Sequence, residues 1–342
     1  MKFLPLPAFV FAAAALAADP VPAFQGSIER LDPALDALLS PDAQIEVLAS
    51  GFNWSEGPVW KEGGIVFSDV PENTVFGWKE GEKAASVVLK PSGNFTGEGQ
   101  GSNGLAVDAQ GRLVLCQHGE RRLARQEKDG KFTVLADNFQ GKRFNSPNDL
   151  VISSQGTIFF TDPPYGMKKG TSPDAPYHGI YAVHPVAGQT TPAMLLIDDI
   201  QWPNGIALSP DEKTLYIAVS DKDNTRIMAY DLAPQGKEGV AGIINGVVIP
   251  KPRNGRELFN AQKLKSADRK GGCDGLKVDS QGNLWTTGPG GVLILDKNGR
   301  HLGSILTGQA TANCAWGGED KSTLYITADM FLLRVKTRVK GF

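Results

Sequence analysis

Short apolar segments alternate with polar turns along nearly the whole chain, and one arrangement of them recurs six times. In each copy a polar residue precedes a small or apolar stretch, a Gly-containing or charged turn follows, and a strand of the Leu-Tyr-Ile type comes next. The spacings between copies are 47, 45, 56, 70 and 39 residues. The copies begin at Glu56, Asn103, Asn148, Asn204, Asp274 and Asn313. Repeats of this size, built from short strands, are typical of a β-propeller with one blade per repeat.

Each repeat can be divided into four strands. In the third copy these are LVIS (150–153), TIFFTD (157–162), GIYAVHP (179–185) and AMLLIDD (193–199), rich in the β-branched and aromatic residues that strands favour. Fourth strands in other copies are predicted at SVVLK, FTVLAD, GVVIP and GSILT. The pattern therefore predicts an all-β, six-bladed propeller.

The last copy has no fourth strand of its own before Phe342. The segment IEVLA (45–49) stands just before Glu56, where a fourth strand belongs, but has no repeat of its own. We expect it to complete blade six, which closes the ring and removes an open sheet edge. The predicted propeller spans residues 44–342, after an N-terminal extension at 18–43.

The fourth and fifth copies are the most widely spaced. The additional residues between Asp221 and Cys273 include a Pro-rich stretch, IPKPRNGREL, and a basic one, QKLKSADRKGG. Long loops in compact domains are often functional. We expect an outer-strand extension and a loop over the mouth of the channel, and a solvated excursion without a role is the alternative.

The N-terminus has the pattern of a signal peptide at residues 1–17. Lys2 is followed by the apolar run FLPLPAFVFAAAALA, which ends in an A-x-A-like cleavage site. This predicts export to the periplasm or the medium, with no membrane association after cleavage. An uncleaved anchor is the alternative. The run is short for a membrane span.

The charge of the chain indicates which partners to expect. The formal net charge is −2 and no basic block is present, so a nucleic-acid partner is not expected. Nothing indicates a dedicated interface, and we expect a monomer.

The three cysteines, Cys116, Cys273 and Cys314, do not form a disulfide framework. Cys273 and Cys314 lie beside channel positions on successive blades, and packed free thiols are favoured over a bridge between them.

The leading residue of each copy occupies the same place in its blade, so all six are expected to converge on the central channel. All six carry oxygen ligands, which suit Ca²⁺, Mg²⁺ or Mn²⁺ better than a dedicated Zn²⁺ or copper site. Turn chemistry is the alternative for Asn103, and is favoured for Asn313. Glu56 is a poor turn residue, and its longer arm points to a ligand role.

Several motifs together resemble one family. They are SEGPVW (55–60), SPNDL (146–150), FTDPPYG (160–166), WPNGIALSPDEKTLYI (202–217) and CDGLKVDSQGNLW (273–285). Over about residues 44–338 the chain resembles the SMP-30/gluconolactonase/LRE-like family, and bacterial-type gluconolactonases in particular. The resemblance implies a six-bladed propeller with one catalytic divalent metal in the channel, usually Ca²⁺. It also implies hydrolysis of lactones, with sugar lactones such as glucono-1,5-lactone as substrates.

The same resemblance assigns residues to roles. Glu56, Asn204 and Asp274 match metal ligands, and Asp274 also matches the proposed general base. Asn148 matches a further Asn that contacts the metal directly or through water and substrate. Substrate-binding candidates are Asn148, Asn103, His118, Arg122, Asp162 and Tyr165. His118 could equally be a hydrogen-bonded structural residue. Asp162 could belong to a rigid turn fixed by two prolines.

The expected reaction is hydrolysis of an aldonolactone to the aldonic acid. The metal would polarise the carbonyl, while Asp274 positions or deprotonates the attacking water. Ca²⁺ is the predicted ion, and Mg²⁺, Mn²⁺ and Zn²⁺ remain open. One alternative is a related propeller hydrolase that acts on phosphotriesters. Another is a non-catalytic, metal-containing propeller that binds a sugar or a protein partner. The carboxylates Glu56 and Asp274 disfavour a strictosidine synthase-like function.

Overall fold

Strands make up nearly all the regular structure of the protein. The computed structural model describes residues 23–96, 99–186, 190–232 and 239–342. The predicted signal peptide, residues 1–17, lies outside the described residues. Two short 3₁₀ turns, Pro33–Ala37 and Ala261–Leu264, accompany the strands. Among the described residues, no helix has the length and apolar character needed to cross a membrane.

Six antiparallel sheets form the six predicted blades, so the predicted fold class is confirmed. Two strands, β1 (Ser27–Arg30) and β2 (Ile45–Ser50), precede the first blade and join later ones. Blade one contains β3 (Ser55–Lys61), β4 (Gly64–Asp69), β5 (Thr74–Lys79) and β6 (Ser86–Leu89). Blade two contains β7 (Ser102–Val107), β8 (Leu113–Gln117), β9 (Arg122–Gln126) and β10 (Phe132–Ala136), and is followed by the small hairpin β11 (Asn138–Phe139) and β12 (Lys142–Arg143).

The remaining blades follow the same order along the chain. Blade three contains β13 (Leu150–Ile152), β14 (Ile158–Asp162), β15 (Gly179–Val183) and β16 (Met194–Ile197). Blade four contains β17 (Pro203–Leu208), β18 (Thr214–Val219), β19 (Arg226–Asp231) and β22 (Arg253–Asn260), with the hairpin β20 (Val240–Ile244) and β21 (Val247–Pro250) inserted. Blade five contains β23 (Leu276–Val278), β24 (Leu284–Gly288), β25 (Gly291–Leu295) and β26 (His301–Leu306). Blade six contains β27 (Thr311–Gly317), β28 (Thr323–Ala328) and β29 (Phe331–Lys336).

The second strand of most blades is buried along its whole length. Every residue of β8, β14 and β24 is buried. Short continuous apolar runs of this kind suit strands covered on both faces. In a propeller the covering comes from the two neighbouring blades. Ile65, Phe67 and Trp78 of blade one, for example, share a hydrophobic cluster with Tyr325 and Leu332 of blade six.

The ring closes as predicted. Strand β2 pairs antiparallel with β29 and becomes the fourth strand of blade six, with Ile45 opposite Val335 and Ser50 opposite Phe331. The Ser55 hydroxyl adds a link by donating to the carbonyl of Asp329 at 2.7 Å. Blade six therefore contains strands from both ends of the propeller.

Part of the segment assigned to an N-terminal extension packs onto the propeller. Strand β1 adds a fifth strand to blade five by pairing with β26. Leu35, Leu38 and Leu39 then enter the hydrophobic cluster of blades five and six. The side chain of Leu35 is fully buried there. The repeats gave no indication of β1.

Blade four departs from the predicted strand assignment. The segment GVVIP, predicted as its fourth strand, belongs mostly to β21, which pairs only with β20. The fourth strand is β22, which pairs with β19. Hairpin β20–β21 places Ile244 and Ile249 in the hydrophobic cluster of blades three and four. The segments of β21 and β22 both favour a strand next to β19, and β21 instead pairs with β20 and packs its apolar side chains against the cluster of blades three and four.

All three cysteines are buried free thiols, as predicted.

Candidate functional site

Five of the six leading residues line one cavity of about 470 Å³. They are Glu56, Asn103, Asn148, Asn204 and Asp274. Each lies in or just before the innermost strand of its blade, so the repeat brings them together. In four innermost strands, β3, β7, β17 and β27, the ladder shifts register beside the leading residue. Bulges re-aim side chains, and in β3, β7 and β17 they occur beside the leading residue that lines the cavity.

A chain of hydrogen bonds fixes the two central amides. His118 Nε2 lies 3.2 Å from Asn148 Oδ1. Asn148 Nδ2 donates to Asn204 Oδ1, and Asn204 Nδ2 donates to Ser220 Oγ at 3.0 Å. Ser220 Oγ in turn donates to the carbonyl of Cys273, the residue before Asp274. The other ring nitrogen, His118 Nδ1, lies 3.0 Å from Gln100 Oε1, so the ring is held between two amide side chains.

Burial disfavours ionisation of the Glu56 carboxyl and of the Asp274 carboxyl, whose Oδ1 is buried although the residue is partly exposed. Burial, followed by the field of Asp149, raises the pKa of Glu56 to about 7. Burial, followed by the field of Glu56, raises the pKa of Asp274 well above its ordinary value. Like charges that share a desolvated site shift each other in this direction.

Two oxygen atoms in this cavity are left bare. Asp274 Oδ1 and Asn103 Oδ1 are buried, and neither has a hydrogen-bond partner among the described residues. A buried oxygen without a partner is costly, and a bound cation would supply the missing interaction. Within the described ranges, no three His, Cys, Asp or Glu side chains are grouped for metal binding. A cation would therefore depend on amide as well as carboxylate oxygens, a donor set that Ca²⁺ accepts.

Aromatic and basic side chains form the rest of the wall. Tyr165 stacks on Trp202 with ring centroids 5.7 Å apart, and lines the cavity as predicted from TDPPYG. Burial, followed by the field of Asp274, raises the pKa of Tyr165, so its hydroxyl stays protonated. Lys265 and Gly271 of the insertion also line the cavity, in keeping with the loop expected over the mouth.

The structure does not bring Arg122 and Asp162 into the cavity wall. Arg122 donates to Gln117 Oε1 at 2.7 Å and lies 5.6 Å from the ring centre of Phe95. Asp162 is fully buried and accepts the backbone N–H groups of Asn145 and Ser146, both at 2.8 Å. These partners already use both side chains. Asp162 supports the segment that carries Asn148 and has no direct path to a substrate.

Two residues that lie behind the cavity wall, against Asn313, were missed by sequence reasoning. Asp149 follows Asn148 directly, and its carboxylate reaches the Asn313 amide at 3.5 Å. If both residues were in a strand, the Asp149 side chain would point to the opposite face from that of Asn148. Strand β13 begins only at Leu150, so this alternation does not apply to them. Lys277 lies in β23, three residues after Asp274 in DGLKVD, and donates to Asn313 Oδ1 at 3.2 Å. A charged residue inside an otherwise apolar innermost strand was the available signal.

Acid is expected to destabilise the protein through His118. Burial lowers the pKa of His118 to about 4, so the folded protein holds it neutral. An unfolded chain binds the proton near pH 6.5, and the stability that depends on the neutral ring is lost as the pH falls from 6.5 towards 4. Over this pH range the midpoint temperature of unfolding should fall less for His118→Gln than for the wild type. Thermal unfolding followed by circular dichroism at several pH values measures the difference.

The control for this experiment is His184→Gln, because His184 lies outside the cavity and contacts Thr157. An identical pH profile for His118→Gln and the wild type would show that His118 is not the group that takes up the proton.

Fold and site together define a six-bladed propeller with a carboxylate–amide centre in its channel. The chain belongs to the SMP-30/Gluconolactonase/LRE-like family, whose sequence model matches residues 54–329. It is 37% identical over 330 residues to a gluconolactonase of Zymomonas mobilis, covering 92% of this chain and 87% of that protein. The family predicted from the motifs is thereby confirmed.

Solved structures agree with this assignment. A gluconolactonase of Xanthomonas campestris is 32% identical and superimposes with a TM-score of 0.76, covering 93% of this chain and 98% of its own. A calcium-binding regucalcin of Agrobacterium tumefaciens is 21% identical, with a TM-score of 0.66, and covers 88% of this chain and 96% of its own. At that identity the second similarity shows the fold alone.

Proposed function

We propose that this protein is a lactonase that hydrolyses an aldonolactone such as glucono-1,5-lactone with the help of one divalent cation. The proposal rests on Oδ1 of Asp274, which is buried without a hydrogen-bond partner in the cavity that the amides of Asn148 and Asn204 also line. The similarity to gluconolactonases supports the reaction class. The cavity of about 470 Å³ falls within the usual range for small-molecule sites, and a monosaccharide lactone fits it.

A lactone is a cyclic ester, so its hydrolysis needs an attacking water and stabilisation of the negative charge that develops on the carbonyl oxygen. A bound divalent cation supplies Lewis-acid stabilisation of that charge. Glu56, Asn148, Asn204 and Asp274 are the residues that would hold it, through carboxylate and amide oxygens. Ca²⁺ is our first candidate on this donor set.

Asp274 is the proposed base. Its pKa lies well above the ordinary value because of burial and the nearby Glu56, and a higher pKa makes a carboxylate a better proton acceptor. A cation bound to the same carboxylate would lower this pKa, because it favours the ionised form. We therefore assign to Asp274 the orientation of the water and the acceptance of its proton as the C–O bond forms.

Neutral side chains of the wall suit a polyhydroxylated substrate. His118 and Tyr165 both line the cavity, and both are held uncharged by burial. The Tyr165 hydroxyl is available to a sugar hydroxyl. Both ring nitrogens of His118 already face side-chain oxygens, Gln100 Oε1 at 3.0 Å and Asn148 Oδ1 at 3.2 Å, so His118 serves to position Asn148. Trp54 adds a flat apolar surface on the same wall.

Hydrolysis of D-glucono-1,5-lactone by metal-stripped protein tests the proposal, with Ca²⁺, Mg²⁺, Mn²⁺ and Zn²⁺ restored separately. The spontaneous opening of the lactone is subtracted from each rate. We expect little enzymatic turnover without a cation and the largest recovery with Ca²⁺. Folded, cation-loaded protein that hydrolyses no aldonolactone would contradict the proposal, and phosphotriester substrates would be assayed next.

A further inference from the structure

A small polar cluster lies beneath the cavity, formed by Lys277, Asn313, Asp149 and Glu56. The Asn313 amide is at its centre. Its Nδ2 donates to Glu56 Oε2 at 3.2 Å and approaches Asp149 Oδ2 at 3.5 Å. Its Oδ1 accepts from the Lys277 ammonium at 3.2 Å and from the backbone N–H of Cys314 at 2.9 Å. The amide thus uses all of its hydrogen-bonding capacity.

This arrangement fixes which way the amide points. Lys277 Nζ and the Cys314 N–H are donors, so Oδ1 must face them, and Nδ2 must face the two carboxylates. Gly275 packs against the other side of the amide, where an added Cβ would lie 2.0 Å from Asn313 Oδ1. The glycine leaves space for the amide, and the hydrogen bonds hold it with Nδ2 towards Glu56.

The charges of the site are also unbalanced without Lys277. Glu56 and Asp149 are each 2% exposed, and Asp274 is partly exposed but its Oδ1 is buried. Lys277 Nζ lies 3.9 Å from Asp149 Oδ2, and its field lowers the pKa of both Glu56 and Asp274 against the effect of burial. A bound cation would favour the ionised form of the carboxylates, and three carboxylate charges with one ammonium would sum to −2. Buried charges are tolerated only when they are paired, so the ammonium is an integral part of the site.

We propose that Lys277 is a built-in counter-ion of the site. Its ammonium lies 3.9 Å from Asp149 and is joined to Glu56 through the Asn313 amide, and it offsets one of three carboxylate charges so that a single divalent cation neutralises the rest. The identity of the site as a cation site rests on the proposed function.

Lys277→Met tests this role, because Met keeps the length of the side chain and removes its charge. We measure the midpoint temperature of unfolding of the full chain in EDTA and in saturating Ca²⁺. Without cation the variant should unfold at a lower temperature than the wild type, since Asp149 then has no positive charge beside it. The rise caused by Ca²⁺ should exceed that of the wild type by about 3 °C or more.

Two further variants separate this role from general packing. Lys277→Arg keeps the positive charge and should restore most of the midpoint in EDTA. Lys61→Met is the matched control, because Lys61 also lies in an innermost strand, and its side chain is 21% exposed, against 27% for Lys277. The partner of Lys61 is the exposed Glu62, so its change should leave the Ca²⁺-induced rise at the wild-type value.

A Ca²⁺-induced rise in Lys277→Met that is equal to or smaller than that of the wild type would overturn the inference. So would a Lys277→Arg variant as unstable in EDTA as Lys277→Met. The readout needs no lactone, so a failure of lactone hydrolysis and a failure of this inference are recorded by separate experiments.

Discussion

Replacing Asp274 with Asn is expected to lower kcat/KM for glucono-1,5-lactone by about 10²- to 10⁴-fold, the usual contribution of a general base. Asn has nearly the same shape and leaves the backbone hydrogen bond from Asp274 N to Thr287 Oγ1 in place. It cannot accept the proton of the attacking water. Because the variant also removes one of the carboxylates of the cavity, the metal-free protein should be at least as stable as the wild type, which thermal unfolding will show.

Glu56→Gln provides the contrast. Glu56 is assigned to cation binding alone, so its loss should raise the cation concentration needed for half-maximal activity, and saturating cation should restore much of kcat. Asp223→Asn is the control for the loss of a nearby charge, because the Asp223 side chain is 79% exposed and does not line the cavity. Cation-loaded Asp274→Asn with near wild-type activity would remove Asp274 from proton transfer and leave it as a ligand.

Deletion of residues 44–50 should have the largest effect on stability. It removes β2, exposes the unpaired edge of β29 and takes Ala49 out of the cluster shared by blades six and one. We expect the midpoint temperature of unfolding to fall by more than about 10 °C, or cooperative unfolding to be lost. Calorimetry of the full chain and the deletion variant measures the change.

The control deletion removes residues 138–143, the hairpin β11–β12, which is exposed except for Phe139, whose ring lies 5.6 Å from that of Tyr181. The flanking residues already meet, because the backbone N–H of Phe144 donates to the Asp137 carbonyl at 3.4 Å. The midpoint temperature of unfolding should fall much less in this variant than in the variant that lacks residues 44–50. A ring that lacks residues 44–50 and unfolds at the wild-type temperature would show that packing between blades is sufficient without the closing strand.

The repeat made most of the fold predictable. Each copy couples a leading polar residue, a turn and a buried strand, so six copies define six blades and the position of every innermost strand. The segment at 45–49 could be placed because one blade lacked a strand. Strand β1 could not be placed in this way, since SIER is short and polar and blade five already had four strands. In blade four, GVVIP has the stronger β-propensity, yet β22 has the register that pairs with β19.

The site was predictable where the repeat determines it. Position in the blade alone places Glu56, Asn204 and Asp274 on one cavity. Asn313 shares that position, but turn chemistry was favoured for it, and its contacts with Glu56 and Lys277 depend on distances that sequence spacing does not give. For Arg122 and Asp162, the motif predicted proximity to the mouth but not the local partners that occupy their side chains.

The pairing of β2 with β29 also bears on how fast the protein folds. Glu46 and Arg334 meet across this pair at 2.8 Å although 288 residues separate them along the chain. Contacts of such high sequence separation carry the largest loop-closure entropy and slow folding. Closure of the ring should therefore come late, after individual blades have formed. The complete constellation of side chains around the cavity then depends on that last step, and refolding kinetics should show lactone hydrolysis returning after most of the β-structure.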